Sequence, residues 1–316
     1  MSTYNGARFL AEQLASLRAQ TLASRMRLLV RDDGSTDGTV GVVTGFDPGD
    51  LAIDVIEGQN IGVRASFLEL MRRADDACRF FLLSDQDDVW DPGKVEAAVA
   101  ALAPFAGDES PVLYGGRSVV TREDLTPIGL TDDAPRGPSL HNALVENIVP
   151  GHTAAMNKAL LVLARDTMPP DKVFMHDCWL YLLAAGLGRV IFDATPHARY
   201  RQHEANDIGY PVGKGRRLIG GVPWLFSDVR ARRTRQARAL RDAVGDRLAP
   251  ADRALLDAFL DQRTPAARLR YLRRYGILYQ RPGYPRAASV QFLVGRYRDD
   301  RSDGLSRQTD RLTAQS

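Results

Sequence analysis

Two short apolar runs near the start of the chain each stop abruptly at a cluster of carboxylates. Met26 to Val30 leads into segment 32–37, Asp-Asp-Gly-Ser-Thr-Asp, and Arg79 to Leu83 leads into segment 85–88, Asp-Gln-Asp-Asp. The length of each run and the polar residues after it are typical of a buried strand. Carboxylates this close repel one another, so each cluster needs a positive partner or hydrogen-bond donors in the folded chain.

Helices alternate with these strands through the first hundred residues. The predicted helices are Ala7 to Gln20, Ser66 to Arg73 and Lys94 to Leu102, and Ile53 to Glu57 is a third strand. Such alternation predicts an α/β fold, a mainly parallel, Rossmann-like sheet flanked by helices. Ligands bind such sheets at the carboxyl ends of the strands, which is where both acidic clusters lie.

The pattern is looser after Pro104. Strands are predicted at Val112 to Tyr114, Arg117 to Val120 and, as the last one, Val190 to Phe192; residues 126–139 are predicted to be a loop, Asp177 to Ala185 a buried helix, and 204–222 a glycine-rich linker. Further helices are expected at Trp224 to Leu248, 250–262 and 265–275. We therefore divide the chain into a catalytic domain (1–213), a basic helical appendage (214–300) and a disordered tail (301–316).

Composition limits the class of protein. The chain has 316 residues, of which 44% are hydrophobic, and no apolar run reaches the roughly 18 residues that span a membrane. The N-terminus lacks the basic-then-apolar pattern of a signal peptide. Cys78 and Cys178 have neither metal-ligand spacing nor the number needed for a disulfide framework. A cytoplasmic protein is expected.

Charge is distributed unevenly along the chain. Residues 1–213 carry 19 Lys and Arg against 29 Asp and Glu, whereas residues 214–301 carry 21 against 8. The basic region is either a solvated helical face or a docking surface for anionic membrane. The Arg-rich helical faces of this region include Arg230, Arg232, Arg233, Arg235 and Arg238. No nucleic-acid recognition motif is present, so nucleic acid is not an expected partner.

The acidic segment 85–88 allows three interpretations. It could be a solvated turn that caps the next element. A calcium loop is excluded, because Val89 and Trp90 occupy positions where a polar ligand and a glycine are needed. The third interpretation is a site for Mg²⁺ or Mn²⁺ bridging nucleotide phosphates, since these cations take one or two carboxylates plus phosphate oxygens. For segment 32–37, the alternatives are a capped helix start and a carboxylate that accepts the N3–H of uracil or thymine.

Four short segments together resemble the inverting family-2 glycosyltransferases. They are 3–6 (Thr-Tyr-Asn-Gly), 32–37, Asn60-x-Gly62 and 85–88, in the family's order over about 90 residues. Segment 84–90, His176-Asp177-x-Trp179 and residues 200–206 are closest to the rhamnosyltransferase-like branch. The resemblance covers about residues 2–210 and implies a GT-A fold.

The resemblance also implies roles for individual residues. The catalytic base is Asp177, whose alternative role is a helix cap. Nucleotide-sugar binding falls to Thr3, Tyr4, Asp32, Asp33, Asn60, Gly62, Arg64, Asp85 and Gln86. The metal ligands are Asp87, Asp85 and His203. The acceptor side contains Gly151, His152, His176 and Trp179, although structural roles for these side chains are equally open.

The implied reaction moves a sugar from a nucleoside-diphosphate donor to a glycan or lipid-linked acceptor, by single displacement with inversion. The first expectation for the donor is dTDP-rhamnose, and a UDP-hexose or UDP-galactofuranose is the alternative. A nucleotidyltransferase would need a basic, glycine-rich loop after its first strand, which Tyr4-Asn5-Gly6 does not supply. A non-catalytic nucleotide-sugar sensor or scaffold of glycan assembly is the alternative from another class.

The family that the chain resembles has a buried apolar strand ahead of its first motif. Here only Met1 and Ser2 precede Thr3. We therefore expect the natural start to lie upstream of Met1, which intact-mass measurement of the native protein would decide.

Overall fold

The computed structural model describes residues 1–169, 171–204, 229–280 and 284–299, which form a mixed α/β structure. The strands are β1 (Ser2–Thr3), β2 (Arg27–Asp32), β3 (Ala52–Glu57), β4 (Phe80–Leu82), β5 (Val89–Trp90), β6 (Val112–Gly116), β7 (Val119–Thr121), β8 (Pro127–Leu130), β9 (Ala155–Asn157), β10 (Arg189–Asp193) and β11 (Ala198–Arg201). The helices are α1 (Ala7–Arg18), α2 (Thr39–Thr44), α3 (Val63–Arg73), α4 (Lys94–Leu102), α5 (Leu140–Ala143), α6 (Lys158–Thr167), α7 (His176–Leu187), α8 (Val229–Val244), α9 (Pro250–Leu260), α10 (Pro265–Arg274) and α11 (Tyr284–Leu293).

These elements confirm the predicted α/β class. The sequence analysis did not predict several of them, such as β9 and α6, and two of its explicit predictions are wrong. The predicted loop 126–139 is wrong in part, because Pro127–Leu130 forms β8, an edge strand that pairs antiparallel with β7. The predicted last strand is also followed by another, Ala198–Arg201, which pairs with β5 and β7. Both missed strands are short and depend on cross-strand partners distant in sequence, which single-sequence patterns do not reveal. The predicted linker 204–222 lies largely outside the described residues.

The strands form three sheets. In the first, β1, β2 and β3 are all parallel, so Thr3 lies opposite Asp32, at the carboxyl end of β2. The second has the order β10-β6-β9-β4, with β9 antiparallel to both neighbours. The third has the order β5-β11-β7-β8. The carboxyl ends of β2 and β4 carry the two acidic clusters, as the sequence predicted.

A cavity of about 920 Å³ lies between the first and second sheets. Leu28 and Leu29 of β2 line one side, and Phe81 and Leu82 of β4 line the other. Among the described strands, β2 and β4 are not hydrogen-bonded neighbours. The two sheets therefore face each other here through side chains rather than through a backbone ladder.

Helix α7 is the centre of the largest hydrophobic core. Trp179 and Tyr181 on it are fully buried. Leu113 and Met156 of the second sheet belong to the same core, as do these residues of α8, α9 and α11: Leu240, Phe259 and Phe292. The C-terminal helices thus share one apolar interior with the sheets. The boundary predicted at residue 213 falls among residues that the structure does not describe.

No helix in the described part of the chain is long and apolar enough to cross a membrane.

Gly116, at the end of β6, provides a test of the sheet packing. A Cβ at this position would lie 1.9 Å from the carbonyl oxygen of Asp193 on β10, which is backbone and cannot move aside cheaply. We expect Gly116→Ala to lower the free energy of unfolding by at least about 2 kcal/mol, through overpacking. At exposed Gly107 an added Cβ meets nothing within 4 Å, so Gly107→Ala is the matched control. Urea unfolding measures both; equal stability of the two variants would contradict the close packing.

Candidate active site

A pocket of about 750 Å³ opens at the carboxyl ends of the strands. Asp33 follows β2, Asp85 and Asp87 follow β4, and Asp177 comes from the first turn of α7; all four line the pocket. The topology thus brings both acidic clusters and the predicted catalytic base to one concave site. Such a site can hold a ligand of nucleotide-sugar size.

The segment after β1 is fastened to the acidic segment 85–88. Gln86 Oε1 accepts a hydrogen bond from Tyr4 N at 2.9 Å, and Gln86 Nε2 donates to Tyr4 O at 3.0 Å. Gly6 is needed below this clamp, because a Cβ there would lie 2.1 Å from Gln86 Oε1. Tyr4 itself is 48% exposed and lines the pocket, where an aromatic ring can contact a ligand.

Asp33 lies at the pocket wall and is held on several sides. Its Oδ1 accepts a hydrogen bond from the Arg31 guanidinium, in an ion pair that is almost fully buried, and another from Ile61 N at 2.9 Å. Its Oδ2 accepts a hydrogen bond from Gly62 N at 2.8 Å. A carboxylate has about four acceptor positions, so three donors leave Asp33 one further acceptor position.

Asp32 and Thr3 lie beneath the pocket rather than on its wall. Asp32 Oδ1 accepts from Thr3 Oγ1 at 3.0 Å, and its Oδ2 accepts from Ser35 N at 2.8 Å. Both predicted binding residues are at most 3% exposed and are not among the lining residues. The pair shapes the loop after β2.

The Asn60-x-Gly62 segment supplies lining residues, whereas Arg64 points elsewhere. Asn60 and Gly62 line the pocket. Arg64 Nη1 donates to Val173 O at 2.7 Å, so its guanidinium fastens α3 to the segment ahead of α7. Arg64 is not among the lining residues, and a direct donor contact by it stays a prediction.

Side chains of segment 85–88 form two groups with histidines from elsewhere in the chain, and both groups have ligand atoms suited to a metal. Asp87 Oδ2 lies 2.8 Å from His203 Nε2, which joins two predicted metal ligands. Deeper in the fold, ligand atoms of Asp85, Asp88 and His152 all lie within 4.8 Å of one another. Asp88 Oδ2 is buried and has no hydrogen-bond partner among the described residues. An unsatisfied buried carboxylate oxygen is costly, and a cation would satisfy it. These residues therefore fit a divalent metal.

Burial controls the protonation of the deeper group. Burial, and then the carboxylates of Asp87 and Asp85, raise the pKa of Asp88 well above its usual value. Burial, reinforced by nearby Lys94, lowers the pKa of His152 to about 3. Burial also lowers the pKa of Lys94 to about 8, against the opposing effect of Asp88. With this lowered pKa, the His152 imidazole is neutral at neutral pH and keeps a lone pair that can bind a metal ion.

Lys94 is a buried cation whose charge interacts with Asp88 and Asp85 of this cluster. Its Nζ donates to His152 O at 2.7 Å and lies 4.4 Å from the centre of the Trp90 ring. Because Lys94 is 4% exposed, its charge is poorly screened and offsets part of the repulsion within segment 85–88.

Asp177 lies in the first turn of α7. Its Oδ2 accepts from Asn147 Nδ2 at 2.9 Å and from Gly151 N at 3.0 Å, and its Oδ1 accepts from Cys178 N at 2.7 Å. These donors fix the orientation of the carboxylate, and the helix N-terminus favours its negative charge. One acceptor position remains for a ligand hydroxyl.

The predicted acceptor-side residues occupy different places. Gly151 and His152 line the pocket, and His152 Nε2 lies 2.8 Å from Ser118 Oγ. His176 also lines it, but its ring stacks on Phe67 at 4.0 Å and burial lowers its pKa. Trp179 is fully buried in the core and is not among the lining residues.

Three residues that the sequence did not assign to the site belong to its surroundings. Asn147 orients Asp177, and Asp88 carries the unsatisfied oxygen. Arg233 of α8, expected on a solvated or membrane-facing surface, lines the pocket instead. Asp88 belongs to the acidic segment 85–88, whereas no local pattern marks Asn147 or Arg233, which reach the site only through tertiary packing.

Comparisons with known proteins agree with this geometry. The profile of the family described as Glycosyl transferase family 2 matches residues 1–129. The dTDP-rhamnosyl transferase RfbG of Shigella flexneri is 26% identical over 261 residues, covering 77% of this chain and 85% of that protein.

Solved structures of low identity show the same fold. The mannosyltransferase PcManGT from Pyrobaculum calidifontis, in complex with GDP-Man and Mn²⁺, matches with a TM-score of 0.52 and 20% identity over 93% of this chain and 84% of that one. Residues 1–349 of S. aureus TarS, in complex with UDP-GlcNAc, match with a TM-score of 0.56 and 16% identity over 96% of this chain and 90% of that one. The chain spans 53% of a longer TarS structure, with a TM-score of 0.57 and 14% identity. The chain therefore carries a glycosyl transferase family 2 domain over residues 1–129, has the GT-A fold and is a glycosyltransferase.

Proposed function

We propose that the chain transfers rhamnose from dTDP-rhamnose to a glycan or lipid-linked acceptor, with inversion and with Asp177 as the base. One observation carries the mechanism: the Asp177 carboxylate, oriented by Asn147 and Gly151, lines the same pocket as Asp85 and Asp87. The choice of donor rests on the similarity to a dTDP-rhamnosyl transferase.

The chemistry follows from the placement of these groups. The acceptor hydroxyl donates a hydrogen bond to Asp177, which takes its proton as the oxygen attacks the anomeric carbon. The nucleoside diphosphate leaves from the opposite face, so one displacement inverts the configuration. Asp33 accepts the N3–H of thymine through its remaining acceptor position.

A divalent metal, Mn²⁺ or Mg²⁺, is proposed at Asp85, Asp87 and His203, and when bound it would neutralise charge on the diphosphate. Asp88 and His152 lie behind these ligands, where Asp88 Oδ1 accepts from Arg201 N at 3.1 Å and so connects the segment to β11. Asp88 thus anchors the metal-binding segment from below.

The alternatives remain distinguishable by experiment. A UDP-hexose or UDP-galactofuranose could replace dTDP-rhamnose, since one structural neighbour is a complex with UDP-GlcNAc. A non-catalytic nucleotide-sugar-binding or scaffold role would leave Asp177 without a chemical task. A position in the cytoplasm, at the inner face of the membrane, fits a lipid-linked acceptor.

A docking surface for anionic lipid is also proposed within the basic C-terminal helices. On α8, Arg230 is 2% exposed, Arg235 and Arg238 form ion pairs with Asp299, and Arg233 lines the pocket. The proposed surface therefore lies on α10 and α11.

The lipid-docking surface combines exposed apolar and basic side chains. Its apolar members are Leu269, Val290, Leu293 and Val294, which are 38%, 61%, 37% and 64% exposed. Exposed arginines accompany them at positions 263, 270, 273, 274 and 286. Residues 262–298 contain nine arginines and neither Asp nor Glu. Arg263 pairs with Asp261, just outside this range. Exposed apolar residues interspersed with basic ones are typical of a surface that binds an anionic bilayer.

The assignment of Asp177 is tested by Asp177→Asn. We expect release of dTDP from dTDP-rhamnose, in the presence of a lipid-linked glycan fraction, to fall at least about 100-fold, because the amide cannot accept the proton. Binding of dTDP, measured by calorimetry, should not change. Asp166→Asn, at an exposed carboxylate on α6, is the matched control and should retain full turnover. Undiminished turnover by Asp177→Asn would exclude the base assignment.

The donor and the metal are tested together by thermal shift. With Mn²⁺ present, dTDP-rhamnose at about 100 times its Kd should raise Tm by about 5 °C, more than UDP-galactose, UDP-galactofuranose or GDP-mannose. Asp87→Asn should abolish the part of the shift that depends on Mn²⁺, whereas Asp50→Asn, at an exposed site, should not. A larger shift with a UDP-sugar would reject dTDP-rhamnose as the donor.

Membrane docking is tested by co-sedimentation with phosphatidylglycerol vesicles. The protein should bind at low salt and dissociate at high salt, and phosphatidylcholine vesicles should not bind it. Replacing both Val290 and Val294 with Ser should weaken binding about tenfold, through lost apolar burial. Val162→Ser removes a similarly apolar, exposed valine from α6 and is the control. Failure to bind anionic vesicles at low salt would refute the surface.

A further inference from the structure

Arg233 is the only Lys or Arg among the described residues that line the catalytic pocket. It is partly buried, and its Nη1 is buried without a hydrogen-bond partner. Its guanidinium carbon lies 5.7 Å from the centre of the Phe174 ring. Since an unpaired guanidinium is costly to remove from water, its position in a ligand pocket needs an explanation.

The local surroundings supply no opposite charge to Arg233. It is the fifth residue of α8, and the first turn of that helix contains no acidic residue. The neighbouring Arg235 and Arg238 pair with Asp299, whereas within the described residues Arg233 forms no ion pair. An anion from outside the chain would satisfy the unmet hydrogen bonds of its guanidinium.

Two carboxylates that line the pocket are held by other donors. Glu146 Oε2 accepts from Asn142 Nδ2 at 2.9 Å and from Gln280 N at 2.8 Å. Asp177 accepts from Asn147, Gly151 and Cys178 and keeps one acceptor position. Within the described residues, neither carboxylate forms an ion pair with Arg233.

A series of contacts connects segment 85–88 to Arg233 by way of Asp177. His152 lies near Asp88 of that segment, and the adjacent Gly151 donates to Asp177. The ring of Phe174, three residues before Asp177, lies 5.7 Å from the Arg233 guanidinium carbon. In this order of contacts Asp177 comes between the proposed diphosphate site and Arg233, and on this ground we assign Arg233 to the acceptor side.

We propose that Arg233 binds an anionic group of the acceptor, a phosphate or a carboxylate, and so selects an acidic acceptor for transfer. This inference rests on the proposed function, because the acceptor side is defined by Asp177 as the base. A guanidinium presents paired N–H donors to both kinds of oxyanion, and such charge-assisted hydrogen bonds are strong and directional. An acceptor anchored this way would have its hydroxyl oriented toward Asp177.

The test uses sn-glycerol 3-phosphate as the probe, titrated by calorimetry into protein saturated with dTDP and Mn²⁺. We expect saturable binding to the wild type, weakened at least about tenfold in Arg233→Gln and only partly weakened in Arg233→Lys. Arg247→Gln, at an exposed arginine elsewhere in the basic region, should bind the probe like the wild type. Neutral glycerol should not bind. Equal probe binding by Arg233→Gln and the wild type, or none by either, would overturn the proposal.

Further measurements separate this proposal from its rivals. Arg233→Gln should keep or raise Tm, because it removes an unpaired cation; a large fall would indicate a structural role and count against the proposal. Weaker dTDP binding in Arg233→Gln would assign the residue to the donor diphosphate and overturn the acceptor assignment. If the wild type fails to bind dTDP, the proposed function fails, while probe titration of nucleotide-free protein still decides whether Arg233 binds an anion.

Discussion

The buried ion pair between Arg31 and Asp33 fixes the wall of the pocket on which the rest of the site depends. Both side chains are about 5% exposed or less, and the Asp33 carboxylate also accepts hydrogen bonds from the backbone N–H groups of residues 61 and 62. One carboxylate therefore holds β2 against the loop that begins α3. Removing one partner of such a pair typically costs about 3–5 kcal/mol, since the other charge stays buried. The carboxylate that we propose as the acceptor of thymine N3–H is thus structural as well.

The second acidic cluster, segment 85–88, is held in place by different interactions. Gln86 fastens it to the segment after β1, and Asp88 connects it to β11. Burial keeps Asp88 protonated over a wider pH range than an exposed carboxyl, and buried Lys94 supplies positive charge. Within segment 85–88, Asp85 and Asp87 line the pocket, whereas Asp88 is buried and does not. The acidic residues that are adjacent in the sequence are therefore separated in the fold.

The C-terminal helices complete the pocket as well as the core. Helix α8 brings Arg233 to the pocket, and Gln280 lines the pocket as well. Leu240, Phe259 and Phe292 bury their side chains in the core that contains α7. Because α7 also carries Asp177, packing of the basic region and the position of the base are coupled. The inference about an acidic acceptor and the lipid-docking surface on α10 and α11 use different arginines of this region.

The sequence by itself determined the α/β class, the position of the two acidic clusters at strand ends and the identity of Asp85, Asp87 and Asp177 as site candidates. These features are local: apolar runs, helical spacing and short motifs are legible within a few residues. The tertiary structure alone decided that Thr3, Asp32 and Trp179 are buried away from the pocket wall, that Arg64 fastens α3 to Val173, and that Arg233 enters the site. It also decided the pairing of β8 and β11. The reason is physical: which face of an element meets solvent, ligand or core depends on partners more than a hundred residues away, and no local pattern encodes them.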